Sequence, residues 1–199
     1  ESDLPALVAV GINDKGQRID YTYGGLSWGK SEPVKTTSIF RIHSMTKLVT
    51  SIAAMQLVEQ KKLNLDQALD ELLPSMTRIP ILTTDGRFVK GKEKITLRHL
   101  LTHTAGFGYP DGTYKLHPVF DEEGWNFEDF PRQFESGTRF LYGTNTDWVG
   151  KLIEQVSGMT LDVYFKKNIF KQLEIKNTHF NVPENAKHRI ASMGNRGKD

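Results

Sequence analysis

His43-Ser44-Met45-Thr46-Lys47, opening the apolar run Leu48 to Val58, is the stretch on which the reading of this chain turns. The spacing predicts a buried helix with Ser44 in its first turn and Lys47 one turn below, so hydroxyl and amine share one face. That is the arrangement of an activated nucleophile. A serine hydroxyl attacks poorly until a base within hydrogen-bond reach takes its proton. A lysine serves as that base only if burial or a neighbouring cation lowers its pKa, and the helix is expected to supply the burial. The helix start also offers unpaired backbone N–H groups and a positive dipole end to an oxyanion forming on an attacked carbonyl.

Around this stretch, 199 residues suffice for one domain with a sizeable core. The formal net charge of +2, with no block of like charges, argues against nucleic acid as a partner. No apolar run reaches the ~18 to 20 residues needed to span a bilayer, and Glu-Ser-Asp-Leu-Pro at the start carries no signal-peptide pattern, so the chain reads as soluble, its compartment (cytoplasmic or exported) left open. Without cysteine there is neither a disulfide framework nor a thiolate metal site. His99 and His103 stand four apart, but no carboxylate between them completes a zinc-protease pattern, and a packed or capping role fits better; no metal is expected.

Upstream of Ser44, Leu7 to Ile12 and Arg18 to Tyr23 flank Asn13-Asp14-Lys15-Gly16 and read as a β-hairpin, which must pair with further strands to be stable. Downstream, the long helix is expected to run to about Lys62, with Asp66 capping a short helix that stops at Pro74. Ile81 to Val89, centred on Asp85-Gly86, reads as a small excursion hairpin. Thr96 is expected to cap a helix from Leu97 to His103 that ends at Gly106. Phe107 to Phe140 is rich in aromatics, glycine and proline without a sustained period: either a loop wall over a cleft, able to select apolar acyl groups, or a satellite aromatic core. Trp148, Val149, Leu152, Ile153 and Val156 mark another helix closed by Gly158, and Leu161 to Ile169 a last one. Leu173 to Val182 is short and mixed, and Met193 to the end reads as an unpacked loop.

A bare Ser-x-x-Lys decides little, because ten serines and 17 lysines in 199 residues give roughly one match by chance. The chain has two. The second, Ser27 with Lys30, lies in Gly25-Leu26-Ser27-Trp28-Gly29, which matches the Gly-x-Ser-x-Gly nucleophile elbow. That elbow needs a helix directly after its serine, but Gly29 and Pro33 follow instead, so Ser27 reads as a glycine-permitted turn leaving a strand. Ser44 has the helix that Ser27 lacks.

Three longer stretches carry a resemblance. Phe40 to Lys47 with Gln56-Leu57-Val58-Glu59 and Lys62-Leu63-Asn64-Leu65-Asp66, then Ile95 to Phe107, then Gly137-Thr138-Arg139-Phe140-Leu141-Tyr142-Gly143-Thr144-Asn145-Thr146-Asp147 leading into Val156-Ser157-Gly158, resemble in order the serine β-lactamase and penicillin-recognising superfamily, nearest its class C-like esterase and acyltransferase branch. The resemblance implies an α/β (α+β) fold: an antiparallel sheet flanked by helices, plus a helical subdomain. On it, residues 1–40 form the sheet hairpin and lead-in, and 41–199 the nucleophile helix and helical region of one domain.

The resemblance further implies Ser44 as the acylated nucleophile, Lys47 as its partner and Tyr142 as the tyrosine that shuttles the proton. A Lys47 ammonium would lower the phenol's pKa and burial would raise it, so the two titrate together. Phe107, Tyr109 and Asn145 are candidate substrate-binding residues. Thr144 stands where many members carry asparagine, which suits the esterase-like branch, and Asp147 is expected to cap the helix that follows. No counterpart of the family's third motif, a Lys-Thr-Gly or His-x-Gly triplet on a sheet strand, follows Tyr142. Half the oxyanion hole and the remaining strands are thus expected from a C-terminal segment or second chain. The implied function is acyl transfer from a small ester or amide through an acyl-enzyme, without cofactor, by an esterase or acyltransferase; the alternatives are a β-lactamase or D-amino-acid peptidase, and a non-catalytic scaffold or ligand-binding protein.

Overall fold

In the computed structural model, residues 5–109 and 127–194 are described, and the chain divides into two compact units, Glu1–His43 with Ile175–Asp199, and Ser44–Glu174. The first unit is built on the expected hairpin. Strands β1 (Ala6–Ile12) and β2 (Arg18–Gly24) pair antiparallel in the register Ala6↔Gly24 to Ile12↔Arg18. Asn13 fixes the turn, its Oδ1 accepting from the N–H groups of Lys15 (3.0 Å) and Gln17 (2.8 Å) while Gly16 takes φ 73°. Leu26, Val34 and Ala191 make a small core against Ala6 and Val8. The returning chain enters this unit by backbone pairing: Ile39 N–H donates to the Arg189 carbonyl (2.8 Å) and Ala191 N–H to that of Ile39 (2.9 Å). Ile19 is nonetheless 77% exposed, with Val10, Ile12 and Tyr21 also exposed.

The second unit holds most of the apolar core. A 3-10 turn, His43–Met45, leads into α1 (Thr46–Glu59); then come α2 (Pro74–Thr77), the two-residue strands β3 (Ile81–Leu82) and β4 (Phe88–Val89), α3 (Leu97–Leu101), α4 (Asn145–Ser157) and α5 (Leu161–Phe165), which continues as a π-helical turn, Lys166–Phe170. Ala53, Ala54 and Leu57 of α1 pack in one core with Leu97 and Leu100 of α3, Trp148, Val149, Leu152 and Ile153 of α4, and Phe165. Small residues on α1 allow α4 to approach closely. Gly158, at φ 68°, ends α4 in the left-handed conformation that only glycine adopts without cost. Among the described residues no helix is long and apolar enough to cross a membrane.

Two local expectations change. Asp66 caps no helix: its backbone N–H is taken by Asn64 Oδ1 (2.9 Å), and its carboxylate forms a bidentate pair with Arg98 (2.6 and 2.8 Å). Residues 65–72 form turns, and Pro74 opens α2 instead of ending a helix, because a first-turn residue needs no N–H. The long apolar run of α1 is also buried on one face alone, with Leu48, Ile52 and Met55 exposed on the other.

Candidate active site

The turn before α1 brings Ser44 to the surface directly after His43, whose φ of 41° lies in the left-handed region that a side chain rarely adopts. One helical turn on, Lys47 Nζ lies 3.4 Å from Ser44 Oγ. Its shorter hydrogen bond is to another residue: Nζ donates to the Tyr109 hydroxyl at 2.8 Å. The ammonium also lies over two rings, 4.9 Å from the Tyr142 centroid and 5.6 Å from that of Tyr109. Those rings meet edge to face at 5.9 Å. Ser44, Lys47, Tyr109 and Tyr142 therefore form one cluster.

Its electrostatics differ from the simple sequence expectation. Burial does work against the Lys47 ammonium, but hydrogen bonds and charge interactions with Tyr109 and Tyr142 outweigh it, and the Lys47 pKa is raised. Tyr142, 42% exposed, moves the other way. Its pKa is lowered first by hydrogen bonding with the Ser44 hydroxyl and then by Lys47 and Tyr109, against an opposing loss of solvation. A proton is thus held on the amine, while the phenol gives one up more readily.

Behind Tyr142 stands His103, its ring 4.7 Å from the tyrosine ring. His103 Nδ1 accepts from the Gly143 N–H (3.4 Å) and faces Asn145 Nδ2 (3.2 Å), which places its hydrogen on Nε2. Burial, reinforced by the Lys47 charge, lowers its pKa, so the imidazole is held neutral. Gly143 packs where no side chain fits, since a Cβ there would meet the Phe107 carbonyl oxygen at 2.4 Å. These contacts fix the turn that aims Tyr142.

The remaining candidates lie elsewhere. Phe107, 1% exposed, packs on Trp148 with ring centroids 5.6 Å apart, inside the core. Asn145 is fully buried at the start of α4, its Nδ2 donating to the carbonyls of Phe107 (2.8 Å) and Leu141 (3.2 Å). Of the aromatic stretch from Phe107 to Phe140, residues 110–126 lie outside the described residues. Asp147 does not cap α4: the N-cap position is Thr144, without a side-chain capping bond, and Asp147 sits within the first turn. His99 closes a capping box with Thr96: His99 N–H donates to Thr96 Oγ1, and Thr96 N–H to His99 Nδ1, both at 3.3 Å. Ser27 lies in a turn closed by the Lys30 N–H on its carbonyl (3.3 Å), with no helix after it. Sequence reasoning missed the contact between Tyr109 and Lys47 and the part played by His103, pairs too far apart in the chain for any spacing rule.

A serine at a helix start with a lysine one turn on and a tyrosine across the cluster, in a chain that also carries an antiparallel hairpin, defines a class of protein. The family model described as Beta-lactamase matches residues 5–199, and the chain belongs to that family. Within it the chain is similar to a monacolin J acid methylbutanoyltransferase of Aspergillus terreus, 35% identical over 170 residues that cover 76% of this chain and 40% of the relative. A lovastatin esterase of Penicillium rubens is 32% identical over 171 residues, covering 76% and 42%. A solved structure of a simvastatin synthase mutant from Aspergillus terreus superposes with a TM-score of 0.85 at 31% identity, covering 96% of this chain and 50% of that one. The chain spans about half the length of these relatives.

Proposed function

We propose that this chain carries the nucleophile and proton-transfer groups of a serine acyl hydrolase or acyltransferase acting on small esters. The observation that carries the reading is the cluster of Ser44, Lys47 and Tyr142, with Tyr142 pulled toward its phenolate by Ser44 and Lys47. In the first step Tyr142 takes the Ser44 proton and Ser44 Oγ attacks the acyl carbonyl. The leaving alcohol then receives that proton from Tyr142, and the acyl group stays on Ser44. Lys47 remains an ammonium throughout, lowering the cost of the phenolate. In the second step water or an acceptor alcohol gives its proton to Tyr142 and attacks the acyl carbonyl; the Ser44 Oγ–acyl bond breaks and Oγ takes that proton back from Tyr142, which regenerates both groups.

Esters are favoured over β-lactams because the relatives include a methylbutanoyltransferase and an esterase. A short branched acyl group is the substrate class this suggests. The catalytic unit is completed by strands outside the described hairpin, supplied by a further segment or a second polypeptide. The exposed apolar residues of that hairpin, and Leu48, Ile52 and Met55 on α1, support this reading. Labelling with a serine-reactive fluorophosphonate tests the assignment: it should disappear in Ser44→Ala and persist in Ser27→Ala, and labelling that followed Ser27 would overturn it. Turnover of a short-chain aryl ester in preference to a chromogenic cephalosporin separates the esterase reading from the β-lactamase alternative.

A further inference from the structure

A second polar site lies within the helical unit and shares no residue with the Ser44 cluster. The loop after α2, the end of β4 and the chain leading to α3 enclose a cleft of about 750 Å³. At its base is Arg132, 2% exposed. The backbone pins it there: Arg132 N–H donates to the Pro80 carbonyl, and its own carbonyl accepts from the Leu82 N–H, both at 2.8 Å. Among the described residues the guanidinium makes two hydrogen bonds, both to neutral oxygens, from Nη1 to Ser136 Oγ (3.1 Å) and from Nε to the Ile79 carbonyl (3.4 Å). Glu135 attracts it through space, but the Glu135 oxygens already accept the backbone N–H groups of Lys92 (2.9 Å) and Glu93 (3.3 Å). Glu135 is thus its nearby anion and is shared with two backbone N–H groups, while the guanidinium keeps N–H donors beyond the two bonds it makes among the described residues, which suits a further anion.

The rim supplies more positive charge. Arg78, Lys90 and Lys92 line the same cleft, and none has an ion-pair partner among the described residues, whereas Lys94 is paired with Asp70 at 2.8 Å. Against these three and Arg132 stand Glu93 and Glu135, which leaves a surplus of two positive charges, the complement of one phosphate monoester dianion. Ile79, Pro80, Phe88 and Val89 add an apolar wall. Gly91 gives the guanidinium its room, because a Cβ there would come within 1.9 Å of Arg132 Nη2.

We propose that this cleft binds a phosphate monoester with a small apolar body, its phosphate on Arg132, Lys90, Lys92 and Arg78 and its body against Phe88 and Val89. Arginine suits the head because its planar fork matches two phosphate oxygens at once. The test is calorimetric titration of the intact protein with phenyl phosphate, inorganic phosphate and benzoate. Phenyl phosphate should bind saturably and at least several-fold more tightly than either of the others. Its affinity should fall about tenfold or more in Arg132→Met, as expected when a charged hydrogen-bond partner is removed. Because the Arg132 variant removes a buried group and can unfold, the exposed pair Lys90→Ala/Lys92→Ala provides a second measure and should lower affinity by a similar factor. Ser44→Ala should bind as the parent does, which keeps this site's fate separate from that of the catalytic assignment. Absence of saturable binding, equal binding of inorganic phosphate or benzoate, or full binding by the lysine double variant would each overturn the proposal.

Discussion

The shortest hydrogen bond of Lys47 is to Tyr109, whose hydroxyl accepts from Nζ at 2.8 Å while Ser44 Oγ lies 3.4 Å away. The lysine is thereby held as a cation between two tyrosines and is poorly suited to take the serine proton itself. On the proposed function, Tyr142, with its lowered pKa, is the group assigned to take that proton.

A pH profile tests this division. If activity needs a deprotonated Tyr142 and a protonated Lys47, kcat/KM rises with pH as Tyr142 ionises and falls as Lys47 loses its proton. The lowered Tyr142 pKa moves the acid limb down, and the raised Lys47 pKa moves the alkaline limb up. Tyr109→Phe removes a group that raises the Lys47 pKa, so its alkaline limb should shift to lower pH, with fluorophosphonate labelling of Ser44 retained at neutral pH. An unmoved alkaline limb would mean that Tyr109 does not hold the lysine charge.

His103 gives stability its own pH dependence. Its folded-state pKa lies below the ordinary 6.5, so the unfolded chain takes up a proton at a pH where the folded chain does not. The His103 contribution is therefore complete above about pH 6.5 and is lost as the pH falls below that value toward the folded pKa. His103→Asn, which tolerates the backbone φ of 56°, should flatten the fall in melting temperature between neutral and mildly acid solution. An unchanged slope would assign that acid sensitivity to other groups.

Thr96 is a smaller structural test. Its side chain accepts the His99 N–H and starts α3, which delivers His103 to the cluster. Thr96→Ala should cost about 1 kcal/mol of unfolding free energy, read as a lower denaturant midpoint at unchanged slope.

What the sequence made legible was mostly local. Asn13 and Gly16 announced the hairpin turn, and Gly158 the end of α4, because each acts through neighbours one to four residues away. Asp66 misled for the same reason. A carboxylate before an apolar run looks like a cap, but Arg98, 32 residues on, holds it instead. Phe107 reads equally as cleft wall or core, and only packing on Trp148 decides for the core. Ser44 and Lys47 were visible through helical spacing. Tyr109 reaches Lys47 across 62 residues, so no periodicity could pair them.

Gly143 offers the sharpest separation of site geometry from site chemistry. Its backbone φ lies outside the left-handed region; what it requires is room, since a Cβ would lie 2.4 Å from the Phe107 carbonyl oxygen and 2.6 Å from the Gly108 backbone. Backbone cannot yield as a flexible side chain would, so in Gly143→Ala the turn carrying Tyr142 must move. Displacing a catalytic group by about 1 Å costs on the order of a hundredfold in rate. Gly143→Ala should therefore lose activity toward an aryl ester on that scale, and the loss should fall on kcat more than on KM, because the group displaced is the one assigned to proton transfer. Tyr142→Phe should fall at least as far, and Gly143→Ala/Tyr142→Phe little further than Tyr142→Phe alone, since both changes disable one group. Independent, multiplying losses in the double variant would show that Gly143 acts on something other than the aim of Tyr142.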